Sequence, residues 1–232
     1  PTNTNMTVCE GAGTASCSPT ATGTNISYQW QVNTGSGWAN ISTGGVYSIT
    51  AGSLNIVNPP AGMNGYLYRA YATGTCLPSD TSGSVALTVR RAPVVTGHPT
   101  SITRCEGIND TFTVTATGYN LTYQWQVNTG AGWNNVPATG YSGQTTTSLI
   151  VQAPSASFNG YQYRCVVTGG CAPTATSNAA TLNILSQPVI TFHPLNITRC
   201  EGINDTFVVT ATAYNLSYQW QYNSGSACTN VP

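Results

Sequence analysis

Hydrophobic and polar residues alternate over short stretches of this chain, and Gly, Asn, Thr and Ser fill the intervals between them. From residue 111 to 117, Phe112, Val114 and Ala116 alternate with threonines, a period of two that turns one face of a strand toward a core. Leu121, Tyr123, Trp125 and Val127 repeat the pattern against Thr122, Gln124 and Gln126. Asn128-Thr129-Gly130-Ala131-Gly132 supplies turn chemistry, after which Trp133 opens a further short segment. Strand patterns follow over residues 146–152 around Leu149 and Val151, then through Tyr161, Tyr163, Cys165 and Val167, and finally Ala180, Leu182 and Ile184. No stretch carries the 3.6-residue period of a helix, so the expectation is an all-β chain.

The pattern is itself repeated. Tyr-Gln-Trp-Gln occurs three times, and its tryptophans Trp30, Trp125 and Trp220 are spaced 95 residues apart. Between His98–Pro137 and His193–Pro232, 29 of 40 positions are identical without a gap. Such a period is a whole β domain. It predicts two complete domains, 1–91 and 92–186, and the first strands of a third, 187–232, with Trp30, Trp125 and Trp220 as core pins. The third copy reaches only Pro232, so the sequence reads as a segment of a longer chain. Arg90-Arg91-Ala92-Pro93 and Ser186-Gln187-Pro188 are short proline-bearing links, which predict a semi-rigid array.

Composition narrows the function classes. Only 5% of residues are charged, lysine is absent, and six arginines balance six acids. That leaves no basic surface for nucleic acid or anionic membrane. No apolar run reaches the length of a membrane span. Near-zero net charge favours association over mutual repulsion, which points to self-association into fibres. Eight cysteines among threonine-rich strands indicate an oxidising, extracellular compartment.

About seven short strands per repeat, a tryptophan on the third and a Tyr-Arg-Cys late in the second copy describe an immunoglobulin-like sandwich. Cys105-Glu106-Gly107, Tyr123-Gln124-Trp125-Gln126, Asn159-Gly160-Tyr161-Gln162-Tyr163-Arg164-Cys165 and Thr168-Gly169-Gly170-Cys171 resemble the bacterial immunoglobulin-like repeats of large secreted and surface proteins of the Bacteroidota. The resemblance covers the whole chain. It implies a non-enzymatic structural or adhesive role in a stalk or adhesin shaft, with other copies, a cell surface or a glycan as partner.

Cys9 and Cys76 correspond to Cys105 and Cys171 in the next copy, at spans of 67 and 66 residues. The expectation is a bridge within each copy, Cys9–Cys76 and Cys105–Cys171, with unpaired thiols as the alternative. Loops of this size stabilise by roughly 4 kcal/mol on the chain-entropy account. The other four do not repeat: Cys17 stands in the slot of Phe112, Cys165 in that of Ala70, Cys228 in that of Trp133, and Cys200 lacks its hairpin counterpart. A bridge between the second and sixth strands needs a cysteine on both. Copy 1 offers only Cys17 and copy 2 only Cys165, so neither copy can form one. Pro19, in the slot of Val114, is out of place within a strand interior.

Candidate chemistry is sparse. Glu10, Glu106 and Glu201 follow the first cysteine of each copy, and Asp110 and Asp205 lie four residues beyond the last two. Paired carboxylates can hydrolyse glycosides. Here they recur copy by copy without a shaped pocket, which favours structural bonds, with Arg69 and Arg164 as natural partners. His98 and His193 each precede a proline in a link and read as spacers. Calcium needs more carboxylates than two per repeat, and zinc spacing is lacking. No catalytic, cofactor or metal site is therefore expected. Eight Asn-x-Ser/Thr sequons occur, of which Asn25, Asn120 and Asn215 share one slot before the tryptophan strand and are candidates for glycan attachment. Trp38 and Trp133 follow a Gly-rich turn and could stack on sugar, although packing is the favoured role. A carbohydrate-binding accessory module of a larger secreted enzyme is the alternative function.

Overall fold

The computed structural model describes residues 6–225 and 227–232. Nine strands form the first sandwich: β1 (Met6–Cys9), β2 (Thr14–Cys17), β3 (Ser27–Asn33), β4 (Trp38–Asn40), β5 (Tyr47–Thr50), β6 (Ser53–Val57), β7 (Leu67–Thr73), β8 (Asp80–Thr81) and β9 (Val85–Arg90). One sheet has the order β1-β9-β7-β3-β4, with β8 paired to β7, and the other is β2-β6-β5. Sequence alternation sets which faces meet. Along β3 and β7, Trp30 lies opposite Ala70 and Val32 opposite Tyr68, so at these two core-facing positions a large side chain faces a smaller one across the pair. Trp30, Tyr68, Leu54, Ile56 and Leu87 are fully buried between the sheets. β1 pairs with β9 in parallel, from Met6 opposite Leu87 to Cys9 opposite Arg90.

The second copy repeats the plan. Its strands are β10 (Val94–Gly97), β11 (Ile102–Cys105), β12 (Asp110–Thr113), β13 (Thr115–Thr117), β14 (Thr122–Asn128), β15 (Trp133–Asn135), β16 (Tyr141–Ser142), β17 (Ser148–Val151), β18 (Gln162–Thr168), β19 (Ala175–Thr176) and β20 (Ala180–Leu185). The sheets are β11-β20-β18-β14-β15, with β19 on β18, and β12-β17-β16. The chain is thus all-β, with tandem immunoglobulin-like sandwiches. By proximity it gathers into two compact units. One comprises Pro1–His98, Val114–Gln124 and Cys165–Ser177, and the other Pro99–Thr113, Trp125–Arg164 and Asn178–Pro232.

The strand expected over residues 111–117 is broken at Val114. β12 pairs with β17, whereas β13 leaves that sheet and pairs with β10. The residue between the two pairings owes a ladder bond to neither. Pro19 occupies the same slot, just beyond the end of β2 at Cys17, and so costs no strand its donor.

In the third copy β21 (Val189–Phe192) pairs with β22 (Thr210–Thr212), and β23 (Gln221–Asn223) with β24 (Cys228–Asn230). The expectation of a third core pin is corrected here. Trp30 and Trp125 are 0% exposed but Trp220 is 40% exposed, because the 232 residues hold no counterpart of β17, β18 or β20 to cover it.

Candidate functional site

The repeated tetrapeptide works through three of its side chains, in copy 1 those of Gln29, Trp30 and Gln31. In copy 1 the Gln29 amide donates to the carbonyls of Trp30 and Ile41, both at 2.9 Å, and ties the start of the tryptophan strand to the chain beyond β4. The Trp30 indole donates to Gly52 O at 2.8 Å, so its polar edge is satisfied inside the core. Trp125 does the same with Thr146 O at 2.9 Å. Gln31 points outward, donates to Asn40 Oδ1 at 2.9 Å and accepts from Arg69 Nε at 2.8 Å. The Arg69 guanidinium then lies 4.1 Å from the centre of the Trp38 ring.

Copy 2 rebuilds this strip with the same chemistry. Gln126 donates to Asn135 Oδ1 at 3.3 Å and accepts from Arg164 Nε at 3.0 Å, while Arg164 lies 4.2 Å from the Trp133 ring. Arg69 and Arg164 are therefore not partners of the acids. They cover one ring face of a half-buried tryptophan on the outer face of a sheet, a cation–π contact of about 1 kcal/mol. In copy 3 the Gln221–Asn230 bond survives at 3.0 Å, and Cys228 stands in the tryptophan slot.

The carboxylates are dispersed. Glu106 accepts from Ala156 N–H at 3.0 Å and Glu10 from Ala61 N–H at 3.4 Å, at the starts of the short 3-10 turns Ala156–Phe158 and Ala61–Met63. Glu10 also lies 3.7 Å from Arg91. Asp110 and Asp205 pair with Arg104 at 3.0 Å and Arg199 at 2.6 Å. Six residues apart in each case, these pairs brace adjacent segments of the chain and place no acid beside a second one. Among the described residues no three His, Cys, Asp or Glu side chains gather into a metal site.

The cysteine pairing differs from expectation. Cys9 is bonded to Cys171, with Cα atoms 5.7 Å apart, and Cys76 and Cys105 are exposed free thiols. The tie thus runs from the first strand of copy 1 to the β18–β19 hairpin of copy 2. The reason lies in the junction: β9 carries Arg90 beside Cys9, and the chain then enters β10, which pairs with β13 close to that hairpin. Cys17 and Cys165 are buried free thiols, and burial pushes both up, Cys165 to about 11. They have the character of small core hydrophobes.

Asn25, Asn120 and Asn215 have φ of 53°, 48° and 50°. Asparagine tolerates this left-handed region better than other residues with a side chain, which accounts for its recurrence at one slot. Asn25 also donates from its amide to Thr75 Oγ1 at 3.1 Å. Neither feature was visible in the sequon pattern.

No protein-family model matches the chain. Over 154 residues, 65% of its length, it is 34% identical to Endoglucanase C of Cellulomonas fimi, and it spans 13% of that protein. Among solved structures it is similar to the I67–I69 I-band fragment of titin, with a TM-score of 0.64 at 16% identity, covering 98% of this chain and 79% of that one. The N-terminal eight immunoglobulin domains of DSCAM align with a TM-score of 0.50 at 16% identity, covering 76% of this chain and 23% of that one. At these identities the likeness is of fold alone.

Proposed function

We propose that this chain is a non-enzymatic, extracellular array of immunoglobulin-like modules, at 1–91, 92–186 and from 187, that serves as a load-bearing stalk or adhesin shaft of the kind the Bacteroidota resemblance implies. The observation that carries this is the Cys9–Cys171 bond, which ties one copy to the next across a sequence separation of 162 residues. A bond of this kind persists in an oxidising compartment. Force entering at the start of copy 1 crosses to copy 2 through sulfur and bypasses most of both copies. The low charge favours contact with further copies, a cell surface or a glycan.

Stretching the full chain from its ends tests the reading. With the tie intact the residues outside it extend to about 250 Å, whereas after reduction the whole chain extends to about 800 Å. An unreduced chain that releases the full length overturns the proposal.

The similarity to Endoglucanase C supports a second reading, an accessory module of a secreted polysaccharide-degrading enzyme, with Trp38 and Trp133 as sugar platforms. It predicts retention of the full chain on insoluble cellulose and loss of that retention in Trp38→Ala/Trp133→Ala. Absence of retention removes it.

A further inference from the structure

The junction between copies 1 and 2 is a fitted contact, and copy 1 displays its receiving half a second time. At the junction Cys9 is bonded to Cys171, the Arg90 guanidinium lies 3.5 Å from the centre of the Tyr119 ring, and Tyr119 N–H donates to Arg91 O at 3.2 Å. The hairpin is held against the same residue, since Gly170 N–H donates to Tyr119 O at 2.8 Å. β10 completes the seat by pairing with β13. Two glycines make room for the link: a Cβ on Gly118 would come within 3.0 Å of Pro93 Cα, and one on Gly169 within 2.9 Å of Pro93 Cγ.

Each receiving element has its counterpart in copy 1, one period earlier. Gly23 and Gly74 stand where Gly118 and Gly169 do, and Thr24 where Tyr119 does. Thr75 N–H donates to Thr24 O at 3.1 Å, as Gly170 does to Tyr119 O, so the hairpin carrying Cys76 is already docked in the bonded arrangement. Thr20–Thr22, the counterpart of β13, pairs with no strand among the described residues. Between that edge and the hairpin runs a groove of about 400 Å³ lined by Thr20, Thr22, Gly23, Gly74 and Cys76. In copy 2 the corresponding place is occupied by the end of β9, the link and β10. The same link pairing recurs between β21 and β22, with the same register shift, so this mode of joining is a property of the repeat.

We propose that the Cys76 groove is the docking site for the closing segment of another copy of this module, a stretch with the chemistry of Arg90–Gly97, and that Cys76 forms a disulfide with that copy's first-strand cysteine. Cys105, the exposed counterpart of Cys9 at the end of β11, takes the hairpin cysteine of the following copy in the same way. Successive modules are then laced by a staggered ladder in which every bond spans a junction. Each bond forms as two thiols lose two protons and two electrons to a low-molecular-weight disulfide such as oxidised glutathione, which leaves as two thiols. The occupant is identified by what fills the equivalent seat in this molecule. The proposal rests on the array reading in taking the partner to be another copy.

The test places one further copy with its closing segment, residues 1–97, in frame before the full chain, so that the added copy supplies its own Arg90–Gly97. The added copy carries Ala12→Ser as a mass mark and Cys76→Ser so that it cannot close on itself. After oxidation with glutathione, alkylation with N-ethylmaleimide and digestion at acid pH, the disulfide-linked peptides are mapped by mass spectrometry. The expected result is the marked Cys9 peptide linked to Cys76 and the unmarked Cys9 peptide linked to Cys171. The second link reports, in the same molecules, that the existing junction has formed. Recovery of alkylated Cys76, a link between Cys76 and the unmarked Cys9, or absence of the Cys9–Cys171 link overturns the ladder. The second and third of these also remove the support of the shaft reading, whereas alkylated Cys76 beside an intact Cys9–Cys171 link overturns the ladder alone, so the two failures are distinguishable.

Discussion

Copies 1 and 2 place the same tryptophan in the same environment by different local routes. In copy 1 the turn between β5 and β6 is made by Ala51 and Gly52, with φ of 49° and 82°, the paired left-handed conformation of a tight hairpin. Gly52 O receives the indole proton. In copy 2 the turn is longer, closed by Thr146 N–H to Gly143 O at 3.0 Å, and Thr146 O receives it. The neighbouring tyrosine is displaced by one position between the copies, yet Tyr47 lies opposite Ile56 and Tyr141 opposite the equivalent Val151. Their hydroxyls meet those of Tyr68 and Tyr163 at 3.2 and 3.1 Å. What the repeat preserves is the partner of each large side chain. The turn sequence is free to change so long as a carbonyl arrives over the indole.

The cores differ as well. Phe112 stacks on Tyr163 with ring centres 4.8 Å apart, whereas copy 1 has Cys17 in that slot and packs Tyr68 with Tyr47 alone. Exchanging these residues tests whether each core is fitted to its own set. Phe112→Cys removes a fully buried ring with nothing to fill the space, and should cost about 3 kcal/mol. Cys17→Phe forces a ring into a filled core and should cost about 1 to 3 kcal/mol. Urea titrations followed by tryptophan fluorescence read both. If either exchange is neutral, the two cores are interchangeable and the comparison loses its point.

The legible and illegible parts divide along the same line. Alternation around Phe112, Trp125 and Leu149 announced the strands, because a two-residue period leaves few alternatives for a half-buried segment. The 95-residue spacing of Trp30, Trp125 and Trp220 exposed the array. The switch of partner at Val114 was hidden, since alternation continues unbroken through it. Pro19 was the one visible sign, legible only once the break was known. The Cys9–Cys171 bond was hidden for another reason. Equal spacing makes Cys9–Cys76 and Cys9–Cys171 equally regular choices, and only the path of the link between β9 and β10 decides between them. The outer strip failed similarly, because nothing in sequence says that Arg69 and Arg164 face tryptophan and glutamine rather than carboxylate.

Alkaline pH sharpens the comparison at a second core position, where copy 2 has Cys165 and copy 1 has Ala70. Burial raises the Cys165 thiol from 9.0 to about 11. The unfolded chain therefore releases this proton at lower pH than the folded one. The associated stability is complete below pH 9 and is lost as pH rises toward 11. Between pH 8 and pH 10 copy 2 should lose about 1.4 kcal/mol from this thiol. Cys165→Ala, which copies the residue of copy 1, should remove that share of the loss. Denaturation midpoints at the two pH values measure it, and an unchanged pH dependence in the variant would count against the thiol as its source.

The smallest expected effect concerns the only carboxylate buried among the described residues. Asp110 is 3% exposed and bonded to Arg104, yet its other oxygen, Oδ2, is buried without a partner. Copy 1 has Val8 and Ala15 in the two slots and folds to the same sheets, so the pair is not a requirement of the fold. A half-satisfied buried charge gives back little of what its desolvation costs. Arg104→Val alone leaves that charge without its cation and should destabilise copy 2 by about 1 kcal/mol, limited by the solvent exposure of the arginine. Adding Asp110→Ala, which brings both slots to the copy 1 pattern, should recover the loss to within about 0.5 kcal/mol of the parent. A double-mutant cycle read by urea titration gives both numbers. If the double variant is as unstable as the sum of its singles, the pair contributes to copy 2 something that copy 1 obtains elsewhere, and the two copies are not equivalent solutions at this site.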